Sequence, residues 1–307
     1  MNKFNDIKQS EEFNSFSNEF EKNVSFLESF SSHITYSGKM ITFISDKKVN
    51  FFTTILLQSC CKTLKNIKSC CSNGSFSDAN TLIRKLRDDL LLHVFILDNS
   101  TKRNVFKSEE LDKLDLSDVE KFTASFSSMT IDTTLSGDEI AVAAWLENSV
   151  DQLSSRNKRK LSFENYMIYF QKDERIKQIL KDYSLENYWF NLTVKLNDYV
   201  HNNGIKFTSH NLVNLPNKNL EVFLNNINIR ISYILTFFLL LILMIDSTLV
   251  RSDDIMDYLE NDMVPPENIQ YEIAPFIQEY IDEKVIPLHP ELKQYLKDYN
   301  INGMNIR

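Results

Sequence analysis

A chain of 307 residues, 43% hydrophobic and 25% charged, is long enough to bury a substantial core and has the composition of a globular protein. Its 5 glycines and 6 prolines are few for that length, which argues against glycine-rich phosphate loops and turn-dense β architectures. The net charge of −8 is concentrated in residues 252–299, where 12 acids face 3 bases; the remainder carries about +1, which excludes a broad basic DNA-binding surface but leaves room for a local anion site.

Phe13, Phe16, Phe20, Val24 and Leu27 recur at spacings of three and four and predict an amphipathic first helix with a Phe-rich inner face. The stretch SSHITYSGKMITFIS interrupts that period and reads as a small hairpin near 33–46, turning at Ser37-Gly38, or as a plain connection. A second helix is expected from Lys48 to Cys71, stopped by Ser72-Asn73-Gly74. In the third, Ser77 is the expected N-cap, and Ala79, Ile83, Leu86, Leu90, Val94 and Leu97 form the apolar stripe. Its second half is apolar nearly all round, so the helix should be central and should carry Arg84, Arg87 and Asp88 inward with it.

Residues 99–136 are polar and weakly periodic, a loop region or insert; a helix resumes at GDEIAVAAWLENSVDQL, and residues 152–161 read as a basic linker. Two short helices near 164–171 and 174–183 lead to LENYWFNLTVKLNDYVHNNG, whose buried stripe is Leu185, Trp189, Leu192, Leu196 and Tyr199. Within a helix expected over 217–250, the run Ile231–Ile245 is apolar throughout. Fifteen residues of helix span roughly 22 Å against roughly 30 Å of hydrocarbon core, which favours a buried central helix, with a membrane span through 231–250 as the alternative. Residues 252–307 complete the chain as an acidic helical segment. The expectation is a mainly all-α protein, a single large helical domain over 1–307.

The cysteines form adjacent pairs, Cys60-Cys61 and Cys70-Cys71, which fit neither a zinc site nor a disulfide framework, so neither metal nor cofactor is expected. The polar start MNKFNDIKQSEEF has no apolar core of a secretory signal, which points to a cytoplasmic protein. Among the histidines, His93 reads as a satisfied core residue, and His33, His210 and His289 lack metal-binding spacing. His201 differs. It ends a helix beside Asn197 and Asp198, on one side of that helix, either as a cap of the last carbonyls or as a proton-transfer group.

The LNDYVHNNG helix end together with the upstream RKLRDD helix resembles the helical HEPN superfamily, and in particular its bacterial members that pair an R-D helix with a Y-V-H helix end. The resemblance covers residues 48–98 and 185–250. It implies a helical bundle, a homodimer or a partner protein, and RNA as the ligand. Many members are metal-independent ribonucleases of antiviral or toxin systems with an R-x-x-x-x-H motif, whereas others bind RNA or protein without catalysis. The motif histidine falls on His201 and the polar residue after the arginine on Asn197. The arginine position itself is Leu196, which puts the phosphate-holding guanidinium in doubt. Lys195 lies beside it at another angle, so Arg84 or Arg87 would have to supply the charge, with Asp88 and Asp198 in support. Arg156, Lys158, Arg159 and Lys160 form a short basic cluster that could touch phosphates or simply be solvated. The expected function is RNA binding with metal-independent cleavage; the alternatives are a non-catalytic interaction protein and a membrane-attached one.

Overall fold

The computed structural model describes residues 6–45, 48–106, 111–112, 114, 118–130, 132–287 and 289–307. Helix dominates, and the only sheet among these residues is a two-stranded hairpin, so the fold is mainly all-α. The first helix, α1 (Glu11–Tyr36), is capped by Ser10, whose side chain accepts from the Phe13 N–H, and buries Phe13, Phe16, Phe20, Val24 and Leu27 as its spacing predicts. It runs on through His33 to Tyr36, which displaces the hairpin from the expected Ser37-Gly38 turn. Strands β1 (Ile41–Ile44) and β2 (Val49–Phe52) pair antiparallel, Ile41 opposite Phe52 and Ile44 opposite Val49. The sequence places a helix from Lys48, but in β2 Asn50 and Phe52 are buried while Val49 and Phe51 are exposed, a period of two that suits a strand.

Helix α2 (Ile55–Ser72) therefore starts later than expected and lies antiparallel along α3 (Phe76–Lys102), the long helix at the centre. From Leu90 to Asn99 every residue of α3 is buried, as its all-round apolar half requires. Helix α4 (Val119–Ser127) lies in the polar region, and α5 (Gly137–Leu146) follows it where the sequence predicts that helix resumes. Ser136 and Glu139 close a capping box at the start of α5, each side chain bonding the other's backbone N–H. Arg103, just past α3, ties this region down. Its guanidinium donates to the Ile44 carbonyl at 2.7 Å, to Glu139 at 2.9 Å and to the carbonyls of Asp132 and Thr134. The basic stretch after α5 is not extended chain: Ser155–Lys158 and Arg159–Leu161 form successive helical turns, the first capped by Ser154.

Helices α6 (Phe163–Phe170), α7 (Glu174–Asp182) and α8 (Leu185–Val200) lead back to α3, against which α8 packs with Leu185, Trp189, Leu192, Leu196 and Tyr199 buried. Helix α9 (Leu220–Ile245) then passes through the middle of the molecule, between α1 and α3, and all of Phe237–Ile245 is buried. It is long and apolar enough to cross a membrane, yet 72% of its most apolar window is covered by the rest of the fold. Helices α10 (Pro275–Tyr280) and α11 (Pro290–Tyr299) complete the chain, each opening on a proline that fits the first helical turn, where no N–H bond is lost. The buried apolar residues form one continuous core from Ile7 to Ile306.

Candidate functional site

The sequence motif ends where α8 meets the segment 201–213 and the first turns of α9. Gly74 makes that junction. It has φ +73°, and a Cβ there would lie 1.9 Å from the Val213 carbonyl oxygen, so only glycine lets the two segments close. Val213 N–H bonds the Gly74 carbonyl at 3.3 Å, and Phe76 N–H bonds the His210 carbonyl at 2.9 Å. Asn211 takes the Asp78 N–H on its Oδ1 at 3.0 Å and donates to the Asp78 carboxylate at 2.9 Å. These contacts occupy N–H groups that the first turn of α3 would otherwise leave without acceptors, which explains why Ser75, the residue before the helix, makes no side-chain cap and why α3 starts ahead of the expected Ser77.

The result is a cleft of about 360 Å³ between the starts of α3 and α9, the end of α8 and the helical turn Ile205–Ser209. One wall is aromatic. Phe76 stacks on Phe223 with centroids 5.0 Å apart, His210 meets Phe223 edge-on at 4.8 Å, and Tyr199 meets Phe207 edge-on at 4.9 Å. Three cations, Lys195, Lys206 and Arg230, and a single acid, Asp198, also line it. Arg230 is buried, donates to Asn80 Oδ1 and lies 5.9 Å from the Tyr199 ring centroid, but no carboxylate pairs with it among the described residues. Asn80 is held in turn by its bond to the Phe76 carbonyl at 2.7 Å. A buried guanidinium without an acid is costly, and an anion supplied from outside removes that cost.

His210 sits among these charges with Nδ1 3.2 Å from the Tyr199 hydroxyl. Burial lowers its pKa, and Lys206, Lys195 and Arg230 push it the same way, so the ring is neutral near pH 7. It has no metal-binding spacing in the sequence, and Arg230 looks there like the flank of an apolar run. The signals that could have found the site are indirect: KFTSH supplies Lys206 and His210 at i,i+4, and Phe223, Asn226 and Arg230 follow at helical spacing on α9.

The sequence candidates divide. Lys195 and Asp198 line the cleft, Asp198 accepting from Asn203 at 2.9 Å. His201 follows the last residue of α8 and is exposed; its backbone N–H bonds the Asn197 carbonyl at 2.9 Å, and its ring has no partner among the described residues. About 100° per residue separates side chains round a helix, which leaves His201 roughly 110° from the direction of the cleft. Asn197 is half-buried with Oδ1 unpartnered. Arg87 is buried and fully engaged: Nε and Nη2 donate to Asp88 at 2.8 and 2.7 Å, Nη1 donates to Thr193 at 2.9 Å, and the guanidinium lies 3.6 Å over the Phe163 ring. Arg84 is half-exposed, 3.8 Å from Asp88. Neither arginine reaches the cleft or His201, since Thr193 is about 12 Å back along α8 from His201. Arg156, Lys158 and Arg159 are exposed, and Lys160 pairs with Asp138 at 3.0 Å.

His93 is a core residue, as expected, but not a satisfied one: it is 2% exposed and neither ring nitrogen has a partner. The thiols of Cys60, Cys61 and Cys71 are buried, and burial raises the pKa of each, that of Cys61 to about 11, which makes them unreactive.

No curated protein and no solved structure matches the chain. Residues 50–219, more than half of it, match a family described as a family of unknown function, DUF5677. The matched stretch contains α2, α3 and α8 whole and stops one residue ahead of α9, so Phe223 and Arg230 of the cleft lie beyond it. The chain belongs to that family, DUF5677.

Proposed function

We propose that the protein binds RNA, with a single-stranded nucleotide unit seated in the cleft between α8 and α9. The observation that carries this reading is Arg230, a buried guanidinium without a carboxylate, opening into a cleft that Lys195 and Lys206 also line. A phosphate supplies the missing charge, and the partly exposed Phe223 ring, backed by Phe76, offers a base the aromatic contact by which unpaired RNA is commonly held. The resemblance of the LNDYVHNNG helix end to the HEPN superfamily supports the same ligand class.

Fluorescence anisotropy with a labelled single-stranded RNA tests it. Wild-type protein should bind with an affinity that falls as salt rises, and loss of either lysine should reduce the log–log slope by about 0.7 for each phosphate contact removed. Arg230→Met should weaken binding at least tenfold with unchanged helix content. A well-folded protein with no affinity for mixed-sequence RNA at low salt overturns the reading in favour of a non-catalytic interaction protein.

Metal-independent cleavage is the second reading, favoured by one observation: His210 is held neutral among three cations. The tautomer that donates from Nδ1 to the Tyr199 hydroxyl leaves Nε2 free to take a proton from a ribose 2′-hydroxyl. Incubation with RNA in chelator, scored for 2′,3′-cyclic phosphate ends, decides whether that chemistry occurs.

A further inference from the structure

A second cavity, of about 310 Å³, lies away from the cleft, between the hairpin, the end of α1, the second half of α3 and the chain just after α9. It falls at the small end of the roughly 300–1,000 Å³ of small-molecule sites. Its floor is apolar, with Phe52 and Leu97 among the side chains that line it, and hydroxyls and two charges complete the lining. The charges are one of each sign, Lys39 and Asp246, and no ion pair joins them.

Both charged groups keep capacity to spare. Lys39 Nζ donates one hydrogen to the Thr248 carbonyl at 2.8 Å, which leaves two ammonium hydrogens for another acceptor. Asp246 uses Oδ1 twice, for the Thr248 N–H at 3.2 Å and hydroxyl at 2.5 Å, whereas its Oδ2 accepts no hydrogen bond among the described residues. At the back of the cavity stands His93, nine-tenths buried and more, packed on Phe52 at 5.2 Å between ring centroids, with both nitrogens unpartnered.

We propose that this cavity binds a small zwitterion with an apolar side chain, chemically a free amino acid, its carboxylate on Lys39, its ammonium on Asp246 Oδ2 and its side chain over Phe52 and Leu97 toward His93. The balance of charge selects the class. A simple carboxylic acid leaves Asp246 without a partner and a simple amine leaves Lys39 without one, so each forgoes half of the polar recognition. Desolvation lowers the Lys39 pKa against the pull of Asp253 and Asp246, and a bound carboxylate would add to that pull.

Calorimetry and thermal shift with leucine, methionine and phenylalanine, against 3-methylbutylamine and 4-methylpentanoate, provide the test on the full chain. At least one amino acid should bind saturably and raise the melting temperature, and the amine and acid should bind at least tenfold more weakly. Lys39→Met and Asp246→Asn should each weaken the amino acid at least tenfold with unchanged circular dichroism. Because both side chains also hold the Thr248 turn, Ile41→Trp is the control: Ile41 pairs with Phe52 on the face of the hairpin turned to the cavity and carries neither charge, so the larger ring fills the space from β1 and should abolish binding in a normally folded protein. Three results overturn the proposal: no saturable binding by any of the twenty common amino acids, equal affinity for the amine or acid, or undiminished binding by the folded Ile41→Trp variant.

Discussion

Arg87 of α3 donates to the hydroxyl of Thr193 on α8 at 2.9 Å while its other nitrogens hold Asp88, so the guanidinium fastens two helices instead of facing a ligand. Burial opposes both charges, lowering the arginine's pKa and raising the aspartate's, with their mutual attraction countering it. Asp88→Ala strands a guanidinium that is 1% exposed and should cost about 3–5 kcal/mol, the range for a broken buried pair, whereas Arg87→Ala leaves a partly exposed carboxylate within reach of Arg84 and should cost less through the pair itself. Urea titration of both single variants and the double variant measures this, and the double should cost less than the sum.

His201 and His210 should behave oppositely. His201 is exposed and unpartnered, so His201→Ala should change stability by less than about 0.5 kcal/mol and leave RNA affinity in the cleft unchanged. His210→Ala removes a ring that packs on Phe223 and meets Tyr199, and should weaken RNA binding while lowering stability by about 1–2 kcal/mol. If RNA is cleaved, loss of activity in His201→Ala with retention in His210→Ala would move the chemistry back to the helix end.

The protein should lose stability on acidification, and His93 should account for part of the loss. Burial pushes its pKa from 6.5 to about 3, so the folded state binds fewer protons than the unfolded one between those values. Its contribution is complete above about pH 6.5 and declines as pH falls toward 3, with His33 and His210, also lowered, acting in the same sense. Each unit of separation corresponds to about 1.4 kcal/mol. His93→Leu should flatten the pH dependence of denaturant midpoints between pH 6.5 and 4. An unchanged slope would show that the ring finds a proton partner in solution.

Gly74→Ala should be among the more damaging small substitutions. The positive φ and the approach to the Val213 carbonyl act together, and a loss of about 2–4 kcal/mol is expected, since relief requires the 210–213 segment to move off α3. That movement breaks the Phe76 N–H bond to His210 and should reduce RNA affinity in proportion, which thermal unfolding and anisotropy on one preparation would reveal.

The helices were readable because their apolar residues repeat at three and four, as Phe13–Leu27 and Leu185–Tyr199 do. The hairpin was displaced because four-residue strands such as VNFF give too short a period to separate from a helix start. At the site, Lys195 and Asp198 were legible through their place beside the histidine motif. Arg230, Phe76 and His210 were not. Each belongs to a different element, and only packing of α3 on α9, with the 210–213 turn closed over Gly74, brings them to one cleft. The state of His93 was equally hidden, since a sequence places a histidine in a core without saying whether its nitrogens are met.

The position of α9 between α1 and α3 sets an order of events for a chain leaving the ribosome. The Phe-rich face of α1 and part of α3 wait for a helix that begins at Leu220, so the first two thirds of the polypeptide emerges with apolar surface that it cannot yet cover. The same helix carries Phe223 and Arg230, so the cleft forms only when the last large piece of the core docks. Synthesis halted before α9 yields a chain that is both sticky and incapable of holding its ligand.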